Sequence, residues 1–166
     1  ESNLALNLRA NYTLETIDFF DSDGQRTTSF NTNVFFVQGL LVPSITNKSM
    51  TSFGVRQEFF DISRRVGVLD FPGGASSITE FIGRWEFDNL DRAHFPRRGH
   101  QLNLRASQSI GLLNTAVNFF RAEASWNGHF ELSSQAVLQT AMLAGYATRD
   151  ELPLHKQFRL GGYSDF

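Results

Sequence analysis

The sequence contains no cysteine and only two lysines, Lys48 and Lys156. The absence of cysteine excludes a disulfide framework and cysteine-based zinc or redox chemistry, and it leaves the redox compartment open. Acidic and basic residues nearly balance, with a formal net charge of −2. Because no overall basic field exists to attract phosphates, we predict that nucleic acid is not a partner.

Long hydrophobic runs are also missing. No stretch approaches the roughly 18 to 20 consecutive apolar residues that a membrane-spanning helix requires, so the sequence excludes a helical membrane protein. It does not exclude a membrane β-barrel, because barrel strands are apolar only at every second position and average out to weak hydropathy.

What the sequence does contain is alternation with a period of two. From Leu4 to Leu14 the even-numbered residues are apolar or aromatic, whereas the odd-numbered ones from Asn7 onward are polar. This is the period of a β-strand with one apolar face. Similar patterns, with an unsettled register in the second and third segments, predict strands at Leu4–Glu15, Ser29–Val42, Thr51–Ser63, Thr79–Asp88, Gln101–Ile110, Ala116–Asn127 and Phe130–Tyr146.

Short polar clusters separate these segments, at Asp21–Gln25, Pro43–Lys48 and Asn127–His129. Parallel strands would need crossovers of about a dozen residues or more, so short connections predict an antiparallel meander. No linker or low-complexity tract divides the chain, and we predict one all-β unit over residues 1–166.

Strand length favours a transmembrane β-barrel over a soluble β-sandwich. Several segments exceed ten residues, whereas strands of soluble proteins average about 5 to 6 and tilted membrane strands need roughly 9 to 11. Aromatic residues near the predicted strand ends fit the interfacial girdles of a barrel. A soluble sandwich that serves as a binding module stays open as an alternative, because its strands alternate too.

Two motifs follow one another in the second half of the chain. The first is a turn in which Asn89-Leu90-Asp91-Arg92 is followed by Phe95-Pro96 and, after two residues, Gly99. Asp and Asn side chains bond to nearby backbone, Pro fixes its own φ, and Gly permits a reversal. The second is the double glycine of Phe158-Arg159-Leu160-Gly161-Gly162, two predicted strands further on.

In this order and spacing the two motifs resemble the Omp85-type outer-membrane β-barrels, a family that assembles or secretes proteins. The resemblance implies that Asp88, Asp91, Arg92, Pro96 and Gly99 form a periplasmic turn. It also implies that Phe158, Gly161 and Gly162 lead into a loop that folds back into the lumen. We expect the tip of that loop, and the lumen-wall residues that hold it, to lie outside this sequence.

The same resemblance implies the architecture and its orientation. A family barrel has about sixteen strands, within the range of bacterial barrels, so we expect a partial barrel of about seven to eight strands that is incomplete at both ends. With the double-glycine loop outside, the periplasmic connections are Pro43–Met50, Asp88–Gly99 and Asn127–His129, and the outward ones are Asp21–Thr27, Arg64–Ser77 and Leu112–Asn114. Lumen-facing charges are then expected at Arg84, Glu86, Arg105, Arg121 and Glu123.

The sequence offers no enzymatic centre. No Gly-x-Ser-x-Gly nucleophile elbow is present, and no His/Asp/Glu cluster has metal-ligand spacing, so we predict neither catalysis nor a cofactor. A Ser-His pair on a barrel wall is disfavoured. Three of the four histidines (His94, His100, His129 and His155) fall in or beside turns, where we interpret a histidine as a solvated surface residue.

The resemblance implies a translocator or insertase in the bacterial outer membrane, with the lipid bilayer and a client or passenger polypeptide as partners. A passive porin or structural barrel is the alternative within the membrane class. Tyr163, after the double glycine, slightly favours the barrels that are attached to patatin-like phospholipase autotransporters; their lipase chemistry would lie outside this chain.

Overall fold

The computed structural model describes residues 4–67, 74–112, 117–148 and 152–157. Within these ranges the chain forms seven strands and one short 3₁₀ turn at Leu154–Lys156. No helix in the described ranges is long and apolar enough to cross a membrane. The strands are β1 (Leu4–Phe20), β2 (Arg26–Thr46), β3 (Ser49–Val66), β4 (Gly74–Asp88), β5 (Gly99–Ile110), β6 (Phe120–Ser133) and β7 (Ala136–Ala147).

The strands form one antiparallel sheet in which each strand pairs with the next along the chain. The predicted all-β meander is confirmed, and its seven strands curve into a half-barrel. We call the end with the β2–β3, β4–β5 and β6–β7 connections the hairpin end. The opposite end, with the β1–β2, β3–β4 and β5–β6 connections, is the loop end.

One predicted connection is wrong. Asn127–His129 lies inside β6, paired with β5 and with β7, and the chain reverses at Ser134–Gln135. Gly128 serves packing here, since the rings of Trp126 and Phe130 occupy the space that a Cβ would need. A glycine covered by neighbouring aromatic rings is a known device of β-sheets. Hydrogen bonding on both sides of the strand therefore overrides the turn preference of Asn-Gly.

The strands also extend beyond their predicted limits. β2 continues through Pro43 to Thr46, so the turn contains only Asn47 and Lys48 instead of Pro43–Met50. β6 begins at Phe120 instead of Ala116 and ends at Ser133, so residues 130–133 belong to it and not to the last strand. The predicted Phe130–Tyr146 segment therefore covers parts of two strands.

The curvature defines two faces. Side chains from all seven strands, from Arg9 on β1 to Leu143 on β7, line one cavity of about 580 Å³. Only the concave side of a half-barrel turns its first and last strands towards each other, so this cavity lies on the concave face. Because side chains alternate along each strand, the neighbouring residues in the chain lie on the convex face.

The convex face carries an exposed apolar band across the sheet, as a barrel with lipid outside requires. Near the hairpin end, Trp85 stacks on Phe87 (6.1 Å between ring centroids) and donates a 2.8 Å hydrogen bond to Ser49 Oγ. A ring with a satisfied N–H suits a membrane interface. The band includes Leu6, Leu8, Phe35, Val37, Phe53, Val55, Phe81, Leu104, Phe130, Leu138 and Met142.

At the loop end the two faces exchange their polarity. The convex face becomes polar, with Thr16 bonded to Asn31 at 3.1 Å. The first three strands have 17 to 21 residues, whereas roughly 9 to 11 are enough to cross a bilayer. Their ends therefore extend beyond the lipid, and the convex face there need not be apolar. The concave face instead holds a buried apolar cluster of Ile17, Phe30, Phe60, Ile62, Ile78, Phe119, Leu152 and Leu154.

This exchange explains the unsettled register of β2. Phe30, buried in the apolar cluster, lies on the concave face, whereas the exposed Phe35 and Val37 lie on the convex face. The apolar positions of the strand thus change from even to odd numbers partway along its length. When the apolar positions change from one face of a strand to the other, the sequence around the change shows a continuous apolar run instead of an alternation.

A close approach of β2 and β3 leads to a first prediction. A Cβ on Gly54 would meet the backbone carbonyl of Gly39 and the Cα of Leu40, and backbone in a ladder cannot move aside alone. We expect Gly54→Ala to destabilise the folded barrel by about 1–3 kcal/mol, measured as a lower midpoint of heat-induced unfolding. Gly83→Ala on β4 is the control, since a Cβ there meets nothing within 4 Å. Equal losses in the two variants would contradict the close approach.

Candidate functional site

Residues Leu152–Gln157, which we call the anchor segment, dock on the concave face near the loop end. Pro153 fixes an extended start (φ −51°), and the 3₁₀ turn closes with a 2.7 Å bond from Lys156 N to Pro153 O. Leu152 and Leu154 are buried in the apolar cluster. The anchor segment therefore inserts two leucines into the cluster.

Lys156 is the centre of a buried charge network. Its Nζ donates 2.9 Å hydrogen bonds to Glu58 Oε2 on β3 and to Glu80 Oε2 on β4. The side chains of Lys156, Glu58 and Glu80 are 6%, 2% and 1% exposed. Removing any one of these three groups would leave an uncompensated charge in a desolvated site, which is strongly destabilising. The arrangement ties the anchor segment to the middle of the sheet.

His155 adds a second contact to the same carboxylate. Its Nε2 lies 2.6 Å from Glu58 Oε1, and its ring packs on Phe60 with centroids 4.8 Å apart. An ionised carboxylate only accepts hydrogen bonds, so the proton resides on Nε2. His155 is therefore not a solvated surface residue: its side chain is 7% exposed.

Of the other three histidines, His129 differs from the turn interpretation, whereas His94 and His100 are exposed in or beside the β4–β5 connection and agree with it. His100 lies in β5 and stacks on Phe87 (5.4 Å between ring centroids), and His129 lies in β6. His94 is exposed in the β4–β5 connection. In the described ranges no group of three histidine or acidic side chains could hold a metal ion.

Towards the hairpin end the concave face becomes strongly basic. Arg9, Arg56, Arg84 and Arg105, which we call the arginine cluster, line the 580 Å³ cavity from β1, β3, β4 and β5. Gln38 Oε1 accepts from Arg56 Nη2 (2.9 Å) and Arg84 Nη2 (3.3 Å). Arg56 also lies over the Phe36 ring, 4.3 Å from its centroid. A neutral amide and a ring face thus orient the cations without neutralising them.

The five charges that were predicted to face the lumen share the concave face with this cluster. Arg84 stands directly opposite Arg105 in the β4–β5 register, and Arg105 opposite Glu123 in the β5–β6 register. Arg121 forms an ion pair with Glu123 on the same strand. Glu86 lines the cavity beside them. Their exposure to a water-filled lumen stays a prediction.

The sequence reading missed the strongest interactions of the site. Glu58 and Glu80 were visible only as polar positions in alternating segments, and Lys156 lies beyond the last predicted strand. One signal was available: Lys156 is one of just two lysines and follows an apolar Leu-Pro-Leu. Glu58 and Glu80 hold the segment that precedes Phe158. The expectation that the loop tip and the wall residues that hold it lie outside this sequence stays a prediction.

The β4–β5 connection is organised around Asp91. Its Oδ1 accepts from the backbone N–H groups of Arg97 (2.9 Å) and Arg98 (3.2 Å). Asp88 Oδ1 caps Leu90 N at 2.9 Å. Gly99 has φ +107°, and a Cβ on it would meet the carbonyl of Asn89. These contacts explain why a turn of this shape needs aspartates and a terminal glycine.

Arginine pairs fasten this connection to the next hairpin. Arg97 Nη2 lies 2.9 Å from Glu131 Oε1 on β6 and donates to the backbone carbonyl of Ser133 at 2.6 Å. Arg92 bonds to the Asp91 carboxylate at 3.2 Å. Pro96 follows Phe95, which has φ +52° and an almost fully exposed ring. The periplasmic placement of this turn stays a prediction.

The backbone donors of Arg97 and Arg98 lower the pKa of Asp91. A lowered folded-state pKa stabilises the protein above the unfolded pKa of about 3.9, and the effect is lost as the pH falls through the folded-state pKa. We expect Asp91→Asn to lower the unfolding midpoint at pH 5–7, with the difference from wild type disappearing in stronger acid. Heat unfolding at stepped pH measures it.

Asp23→Asn is the matched control for this change. Asp23 is an exposed turn aspartate whose carboxylate makes no hydrogen bond within the described part of the chain. A pH-independent difference for Asp91→Asn, or the same difference for Asp23→Asn, would contradict the assignment.

Phe158, Gly161 and Gly162 of the double-glycine element lie outside the described residues, as does Tyr163. The comparisons with known proteins bear on the whole chain. A family model described as the Omp85 superfamily domain matches residues 1–166. The comparison with curated proteins gives no significant match.

Proposed function

The chain belongs to the Omp85 superfamily, and from this premise we propose that it forms part of an outer-membrane barrel that inserts or secretes other polypeptides. The family match over residues 1–166 is the observation that carries the proposal. Family members are generally non-enzymatic translocators, and the family and the fold together point to a bacterial outer membrane.

The proposed mechanism uses no covalent chemistry. The convex apolar band holds the barrel in lipid, while the concave face offers a charged path to a polypeptide. The anchor segment, docked through Lys156 on β3 and β4, positions the loop that the double glycine begins. A client would then be guided along the inner wall or released sideways into the bilayer.

The anchor segment favours a translocator over a passive porin. A general diffusion pore keeps its interior filled with water. Here Leu152, Leu154 and Lys156 are buried against the concave wall at the loop end. This part of the concave wall is thus covered by specific apolar and ionic packing, which supports the proposal.

The test is catalysed assembly by the full-length protein in liposomes. A urea-unfolded eight-stranded outer-membrane barrel is added as client, and its folded fraction is followed by heat-modifiable gel migration. We expect faster insertion than in protein-free liposomes. Sugar-driven liposome swelling without any acceleration would instead favour a porin and contradict the proposal.

Secretion of a passenger is the second form of the same function. Protection of an added or attached passenger from external protease would distinguish it from insertion of client barrels, because a secreted polypeptide crosses the membrane and an inserted one stays in it.

A further inference from the structure

Within the described part of the chain, three of the four residues of the arginine cluster have no contact with the anchoring network. The carboxylates of Glu58 and Glu80 accept hydrogen bonds from Lys156, and Glu58 also contacts His155. Arg56 alone of the cluster reaches this network, with Nη1 3.8 Å from Glu58 Oε2. Arg9, Arg84 and Arg105 make no ion pair with any residue in the described ranges.

The cavity therefore has an excess of positive charge. Four guanidinium groups line it, against the two carboxylates of Glu86 and Glu123. Glu123 is engaged by Arg121, which lies next to the cavity on β6. Like charges directly opposite one another in a sheet, as Arg84 and Arg105 are, destabilise it. Such an arrangement is favourable when an anion bridges the two cations.

Guanidinium groups suit oxyanions in particular. They are weakly hydrated, always charged, and bond to a carboxylate through two parallel N–H donors. The Nε of Arg84 is buried without a hydrogen-bond partner within the described ranges. The site thus presents unused donors as well as charge.

The spread of the cations indicates the size of the ligand. Neighbouring strands are about 4.8 Å apart, so β1 and β5 are separated by roughly 19 Å along the curved sheet. A single phosphate cannot reach across this distance. An extended peptide places side chains of one face about 6.6 Å apart, so several carboxylates can meet several arginines.

We propose that the arginine cluster is a binding site for an acidic segment of a polypeptide, held by its carboxylates as it passes along the concave face. This inference rests on the proposed function and specifies it, because it names the charge of the segment that the barrel recognises.

The experiment is a binding titration with the full-length protein in nanodiscs of zwitterionic lipid. The probe is a fluorescently labelled oligo-aspartate peptide, followed by anisotropy, with oligo-lysine as the opposite charge. We expect oligo-aspartate to bind and oligo-lysine not to bind. The double variant Arg84→Gln/Arg105→Gln should weaken the binding of oligo-aspartate by at least about tenfold. Arg26→Gln, at the start of β2 outside the cavity, should bind like wild type.

Heat-modifiable migration verifies that each variant is folded. If the double variant does not fold, the single variants Arg105→Gln and Arg84→Lys replace it. We expect Arg84→Lys, which keeps the positive charge, to lose less affinity for oligo-aspartate than Arg105→Gln. Equal weakening by Arg26→Gln, or unchanged binding in the cavity variants, would overturn the proposal. So would full displacement by excess inorganic phosphate with no preference for the peptide, which would indicate a small-anion site.

The experiments can refute the translocator function and the arginine binding site independently of each other. Accelerated client insertion without binding of the acidic peptide would remove the arginine site and leave the translocator function. Binding of the peptide without any accelerated insertion would leave the site and remove the function.

Discussion

Lys156→Met in the full-length protein is expected to free the anchor segment from the barrel wall. Methionine retains much of the side-chain volume but leaves Glu58 and Glu80 without the cation they share. Removing one partner of a buried ion pair costs about 3–5 kcal/mol, because the remaining charge stays desolvated. Amide hydrogen exchange of residues 152–157 should accelerate strongly, and the midpoint of heat unfolding should fall.

The second lysine of the chain provides the control. Lys48 lies exposed in the two-residue β2–β3 turn, so Lys48→Met should change neither measurement. The triple variant Lys156→Met/Glu58→Gln/Glu80→Gln should recover much of the lost stability, since neutral side chains remove the uncompensated charges. Exchange in Lys156→Met as slow as in wild type would show that the ion network does not hold the segment.

Leu104→Arg is expected to impair membrane assembly far more than Ser125→Arg. Leu104 lies on the convex band, between Trp85 and Ala124 in the ladder, whereas Ser125 lies on the concave face opposite Asn103. An arginine on the lipid face costs roughly 2–4 kcal/mol at mid-depth and less towards the interface, while one on a hydrated wall costs little. The folded fraction in lipid vesicles, read from heat-modifiable migration, measures both.

Phe120→Arg should behave like Leu104→Arg, and substitution of Asn103 like substitution of Ser125. Equal folded fractions for the two faces would remove the membrane interpretation of the sheet, because only a bilayer makes the convex side intolerant of charge.

Alternation predicted the strands and their antiparallel order because period-two patterning reports directly on which side of a strand is apolar. β5 illustrates this: its predicted range Gln101–Ile110 differs from the structure only at the first residues. The pattern failed where a local preference conflicted with the ladder. At Gly128 the sequence shows a turn former, but the glycine makes room for Trp126 and Phe130.

The site was far less predictable. Arg84, Arg105 and Glu123 could be assigned to one face only because side chains alternate between the two faces along each strand. The bond from Lys156 to Glu58 joins residues 98 positions apart, and no local rule relates them. Sequence patterns also give no register between β3 and β4, which is what brings Glu58 and Glu80 within reach of one ammonium.

The position of the anchor segment has a consequence for biogenesis. Lys156 lies 76 residues after Glu80, so its contacts with β3 and β4 close a long loop. Closing such a loop costs more entropy than pairing neighbouring strands, and we expect these contacts to form late in folding. Until Lys156 docks, Glu58 and Glu80 lack the cation that they share, and burying their charges is unfavourable. We therefore expect the loop end of the sheet to close last, after the strands have paired.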